Sequence, residues 1–161
     1  MNAFDYRAAF ALGHSYARYV TDCLNDLGVH AELQPLEYAK DEADRRRFTL
    51  HEKDVVTSAG VLEVKSSSRV FSNNPDDYPA PTLIVDTYHG FHSKVRKPIA
   101  YCMVSQETKA IVVVPVSSQP SWCVQNLYDR HRKIYDDFLI ADRAVLRSFD
   151  DLIEWLRGKH S

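Results

Sequence analysis

Asp54-Val55-Val56-Thr57-Ser58-Ala59-Gly60-Val61-Leu62-Glu63-Val64-Lys65 is the stretch whose reading settles the fold. Two β-branched, apolar runs flank a small-residue turn at Thr57 to Gly60, which is how a β-hairpin is written in sequence. Residues two apart in a strand share a face, so Glu63 and Lys65 point one way and Leu62 and Val64 the other. With Thr57 to Gly60 as the loop, Asp54 lies directly across from Glu63, and opposed residues share a face. Two carboxylates and an ammonium then converge on one patch. A three-residue loop shifts the register by one and turns Asp54 away, so the reading rests on the turn.

Such a patch has a chemical use. Hard divalent cations such as Mg²⁺ take oxygen ligands, usually one or two carboxylates with water and phosphate completing the shell. An ion held by Asp54 and Glu63 polarises a phosphodiester and acidifies a bound water, while Lys65 adds a fixed positive charge beside the reacting phosphorus. Leu62 and Val64 anchor the strand from behind.

The set Asp54 followed by Glu63-Val64-Lys65 at the end of an apolar strand resembles the metal-binding signature of the PD-(D/E)XK nuclease superfamily. The resemblance implies a restriction endonuclease-like α/β fold: a mixed β-sheet flanked by helices, with a long N-terminal helix before the first strand. It implies Asp54, Glu63 and the backbone carbonyl of Val64 as ligands of Mg²⁺ or Mn²⁺, and Lys65 as the catalytic lysine. It implies a metal-dependent nuclease hydrolysing phosphodiester bonds, in DNA rather than RNA, of restriction, repair, recombination or phage origin. Many such enzymes are dimers, because a two-fold axis suits the cutting of two strands. In many family members the first helix carries a Glu in a stretch resembling Gly13-His14-Ser15-Tyr16-Ala17-Arg18. No Glu stands in this helix, which leaves that role to His14, Asp22 or water.

The same tripeptide form recurs at Glu107-Thr108-Lys109, inside a polar stretch between apolar runs, and reads there as a turn. Glu-x-Lys is expected about once by chance in a chain of this length, so strand context carries the distinction.

The chain has 161 residues, 45% hydrophobic and 26% charged, which fits one globular domain over residues 1–161. Three cysteines, Cys23, Cys102 and Cys123, form no close pair and suggest reduced thiols in a cytoplasmic protein. No run is long and apolar enough for a membrane span, and Asp5 and Arg7 interrupt what a signal peptide would keep apolar. The net charge of −2 does not advertise a nucleic-acid binder, so local basic clusters matter more. The candidates for phosphate contact are Arg46 and Arg47 in the Arg45 to Arg47 run, Arg69 after Ser66-Ser67-Ser68, and Lys94 in the Lys94 to Lys97 stretch.

Along the chain, helical spacing from Phe4 to Leu27 with Phe10, Tyr16, Val20 and Leu24 predicts a first helix stopped by Gly28. Strands are expected at Val29 to Leu36, Phe48 to Val56, Val61 to Ser67 and Thr82 to Thr87. Glu52 shares the face of Asp54 and Asp86 ends the fourth strand; both are reserve ligands, Asp86 also reading as a cap. Ser72 to Pro81 is a proline-rich loop where the family usually has a helix. Two histidines in Tyr88-His89-Gly90-Phe91-His92 lack partners at a zinc-site spacing. Ile99 to Ser105 and Ala110 to Val116 pair as a central hairpin. Trp122 to Leu139 reads as an amphipathic helix with a basic face. A last helix runs through Leu156, capped by Ser148 or Asp150, with Trp155 and Leu156 facing inward. Two other readings stay open: a catalytically inactive nuclease-like fold that binds nucleic acid or protein, and an RNA-cleaving enzyme with the same site.

Overall fold

The computed structural model describes residues 6–33 and 54–158. Helix α1 (Tyr6–Asp26) buries Tyr16, Ala17, Val20 and Leu24, a stripe at the i, i+4 spacing of one helix face. Its end is a Schellman closure: the Val29 amide donates to the Leu24 carbonyl at 2.9 Å and the Gly28 amide to Asn25 at 3.0 Å. Leu24 and Val29 are both core residues, so the closure also seals an apolar contact. Leu27, expected on the inner face, is 43% exposed; the Phe10 side chain lies outside the described part.

After α1 come β1 (Ala31–Leu33), β2 (Asp54–Thr57) and β3 (Gly60–Ser67), an antiparallel meander. Arg46, Arg47, Glu52, the charge-rich stretch around them and the expected start of the second strand lie outside the described residues. Strands β5 (Ala100–Ser105), β6 (Ile111–Pro115) and β9 (Arg147–Ser148) extend this sheet in the order β1-β2-β3-β5-β6-β9. The pair β3 and β5 is parallel and the others antiparallel, so the sheet is mixed, as expected. Strands β5 and β6 form the predicted hairpin, turned at Glu107-Thr108-Lys109 with Lys109 at φ 63°. All six residues of β5 are buried, as suits a strand covered on both faces.

A second, three-stranded antiparallel sheet combines β4 (Thr82–Thr87), β7 (Cys123–Asp129) and β8 (Ile134–Asp142) in the order β4-β8-β7. Here the sequence reading is corrected: Trp122 to Leu139 is a β-ribbon and not a helix. Asp129 makes the turn, its Oδ1 accepting the His131 amide at 2.9 Å, with Lys133 at φ 58° closing the loop. Strand β7 is largely exposed, so its residues alternate weakly in hydrophobicity and the strand period is masked.

This sheet also changes the layering. The helices were expected to cover the faces of the sheet, but α1 and α3 (Phe149–Gly158) pack on one face, against Val55, Leu62, Val64, Cys102 and Val113. The other face, with Tyr101, Met103, Val112 and Val114, is covered by β4, β8 and α2 (Tyr88–His92) through Leu83, Val85, Leu139, Ala141 and Phe91. Each fully buried Val or Leu at these interfaces contributes roughly 1.5–3 kcal/mol. In α3 the Ser148 hydroxyl accepts the Asp151 amide at 3.0 Å, as predicted for a cap. Leu156 is buried as expected, whereas Trp155 is 47% exposed. The Ser72 to Pro81 segment holds a single short 3-10 turn, Pro75–Asp77.

Candidate active site

The β2–β3 hairpin sets the register of the site. Asp54 pairs with Glu63, Val55 with Leu62, Val56 with Val61 and Thr57 with Gly60. The turn proper is Ser58-Ala59, tighter than a four-residue loop, but the pairing of Thr57 with Gly60 leaves the register as predicted. Gly60 stands at φ 146°, and a Cβ there would meet Ile99 Cγ2 at 2.7 Å, so glycine lets the turn close against the segment that leads into β5. Val64 turns its side chain into the α1 face, 1% exposed. Glu63 and Lys65 turn to the opposite face, where β5 supplies Tyr101 directly beside Glu63.

Asp54, Glu63 and Asp86 are buried acids, at 9%, 6% and 6% exposure. Burial of a carboxylate is costly unless it is paired and hydrogen-bonded, and the pairing here is dense. Lys65 Nζ lies 3.4 Å from Glu63 Oε2 and 3.2 Å from Asp86 Oδ1. Lys94 Nζ lies 3.2 Å from Glu63 Oε1 and 3.1 Å from Asp86 Oδ2. The Tyr101 hydroxyl donates to Asp86 Oδ2 at 2.7 Å, and the Thr87 amide to Asp86 Oδ1 at 2.8 Å. The four charged groups thus alternate in sign around a closed ring.

Asp86 reaches this ring through an irregularity in β4. Regular alternation would put Asp86 on the side of Ile84, which is 46% exposed. The register against β8 shifts between Ile84 and Asp86, so Asp86 comes to lie opposite Leu139 on the inner face. Gly90 keeps the seat open: a Cβ there would meet Thr87 Oγ1 at 2.5 Å and Asp86 Oδ1 at 3.0 Å. Asp86 joins the charged cluster and accepts the Thr87 amide, while the cap of α2 is Thr87, whose hydroxyl accepts the Gly90 amide at 2.8 Å.

The electrostatics follow from this packing. Burial alone would raise the Asp86 carboxyl, but Lys65 and Lys94, with the Tyr101 hydrogen bond, hold it down at about 2. Burial alone would lower Lys65, but Glu63 and Asp86 hold its ammonium well above the ordinary lysine value. These two carboxylates favour the charged form of Lys65. The Tyr101 hydroxyl is pushed up by burial and by the carboxylates of Glu63, Asp86 and Asp54, so it stays a donor.

The donor set is hard oxygen throughout, the chemistry that Mg²⁺ or Mn²⁺ prefers. Asp54 and Glu63 fit that role by register and burial. Among the described residues no group of three or more His, Cys, Asp or Glu forms a metal cage of its own.

Other expected residues fall differently. Arg69 is exposed and lines a groove of about 710 Å³ that also takes in Lys65, Ser66, Asp86, Gln125 and His131. Lys94, expected to meet phosphate, is 12% exposed and bound to Glu63 and Asp86 instead. The α1 helix packs on the far face of the sheet, with Asp22 exposed and His14 half-buried. Tyr88 and Phe91 pack on the His92 ring, with centroids 4.2 and 5.2 Å away. A larger hollow of about 820 Å³ beside α3 is lined mainly by apolar residues such as Ile99, Val113, Leu152 and Trp155 and lies away from the charged ring. Cys102 is buried, and burial pushes its thiol up to about 12, which makes it inert. No protein-family model, curated protein or solved structure matches the chain.

Proposed function

We propose that this protein is a metal-dependent nuclease of the PD-(D/E)XK type, with a restriction endonuclease-like core, that hydrolyses phosphodiester bonds in DNA. The observation that carries the reading is the cross-strand pair of Asp54 with Glu63, with Lys65 on the same face and its ammonium 3.4 Å from the Glu63 carboxylate. Asp54 and Glu63 would hold Mg²⁺ or Mn²⁺; when bound, the ion supplies Lewis acidity and a more acidic water. Lys65, held protonated by its two carboxylates, offers a fixed charge to the oxygens of the phosphate as negative charge builds there. Arg69 and Ser66 line the groove next to Lys65 and suit the path of a sugar-phosphate backbone.

The test is nicking of supercoiled plasmid by purified protein with Mg²⁺ or Mn²⁺, with chelator as control and RNA as a parallel substrate. Activity is expected with metal, absent with chelator, and reduced about a hundredfold or more in Lys65→Ala whose circular dichroism is unchanged. Cleavage of RNA alone would move the proposal to an RNA-cleaving enzyme. A second reading, a catalytically silent nuclease-like module, draws support from the closed charge ring, which already satisfies both oxygens of Glu63 and Asp86. DNA binding without metal-dependent turnover would select it.

A further inference from the structure

Lys65 and Lys94 reach the same two carboxylates from different kinds of backbone. Lys65 belongs to β3, where it is paired with Met103 of β5 in the middle of the sheet. Lys94 follows α2 on a surface segment where Ser93 and Arg96 are exposed and Val95 is 96% exposed. Only its side chain dips inward. The segment's backbone is pinned separately: Lys97 Nζ donates to the Lys94 carbonyl at 2.6 Å and to the His92 carbonyl at 3.1 Å. The Lys94 side chain can leave by rotating about its own flexible stem while that backbone stays in place.

Three oxygens surround the Lys94 ammonium: Glu63 Oε1 at 3.2 Å, Asp86 Oδ2 at 3.1 Å and the Gly90 carbonyl at 3.0 Å. Two carboxylates and a carbonyl are also what a hard divalent cation takes from a protein. Charge decides between addition and exchange. The charges of Glu63 and Asp86 are already matched by the two ammoniums of Lys65 and Lys94. A dication added beside both ammoniums would crowd these two carboxylates with a buried surplus of positive charge, whereas a dication in place of Lys94 halves that surplus and inherits its oxygens.

We propose that Lys94 is a displaceable counter-ion, whose ammonium holds Glu63 and Asp86 together until a divalent cation takes its position and drives the side chain out to solvent. This rests on the metal-dependent reading of the Asp54 and Glu63 site. It makes Lys94 a competitor of the metal, which separates it from Lys65, a partner of the metal in that reading.

The experiment is a Mn²⁺ titration of the full chain followed by electron paramagnetic resonance of the free ion, for the wild type and for Lys94→Met. The variant is expected to bind Mn²⁺ at least about tenfold more tightly than the wild type. Equal or weaker binding by a folded variant overturns the proposal, as does absence of Mn²⁺ binding to both proteins. Should Lys94→Met fail to fold, amine acylation of the wild type read by mass spectrometry decides the matter. Lys94 should be labelled several-fold faster at saturating Mg²⁺, and an unchanged rate overturns the proposal. Plasmid nicking by the wild type is scored separately. Nicking without metal-dependent release of Lys94 removes this inference and leaves the nuclease reading, while metal-dependent release without nicking does the reverse.

Discussion

The chain contains Glu-x-Lys twice, and the two copies have little in common beyond their letters. Glu63-Val64-Lys65 lies in a strand paired on both sides, with Glu63 buried, Val64 in the core and Lys65 bridging two acids. Glu107-Thr108-Lys109 is an exposed turn in which Lys109 sits at φ 63° and reaches over the Tyr16 ring at 5.3 Å. In the first copy backbone pairing fixes where each side chain points; in the second the turn leaves both residues exposed on the surface. A motif of this size acquires chemistry from the burial of its acid and the covered strand beneath it.

The sharpest way to test that contrast is to remove the acid that joins the first copy from afar. Asp86→Ala leaves two ammoniums facing one carboxylate and is expected to lower stability by roughly 3–5 kcal/mol in urea unfolding, the cost of breaking a buried ion pair. Next comes the lysine. Lys65→Ala should reduce metal-dependent plasmid nicking about a hundredfold or more, as loss of a charge-stabilising group does, while Lys109→Ala should leave it unchanged.

Acid gives a smaller and graded effect. The Asp86 carboxyl is depressed from 3.8 to about 2, so the stability it contributes is present above its unfolded value and is lost as pH falls through about 2. A shift of that size corresponds to roughly 2 kcal/mol. Urea midpoints measured between pH about 5 and about 2 should therefore fall more steeply for the wild type than for Asp86→Asn. The smallest expectation belongs to the second copy: Glu107→Gln should change stability by no more than about 0.5 kcal/mol in the same assay, as exposed substitutions usually do.

How far the site was legible depends on how local its causes are. The Asp54 and Glu63 register could be read because one short hairpin fixes it, and period-two alternation then assigns Lys65 to the same face. The β5–β6 hairpin and the Ser148 cap are local in the same sense. Asp86 was visible only as a strand-end acid, because the register shift that turns it inward arises from pairing with β8, more than fifty residues further on. Lys94 was seen as one of a basic run, since nothing near it in sequence announces that Glu63 and Asp86 wait across the sheet interface. The β7–β8 ribbon was misread because solvent-facing strands need not alternate, which leaves Asp129 as the local signal of a turn.

The placement of the two tryptophans offers a way to watch these layers. Trp122 packs edge-on against Phe91 and Tyr101, with centroids 5.4 and 6.4 Å away, directly behind the charged ring. Trp155 sits on the outer side of α3 and is 47% exposed. Their emission should therefore separate into a blue component that reports on the interface between the sheets and a red one that reports on the helical face. Replacing either indole by phenylalanine would turn the protein into a single-site optical probe of one layer at a time.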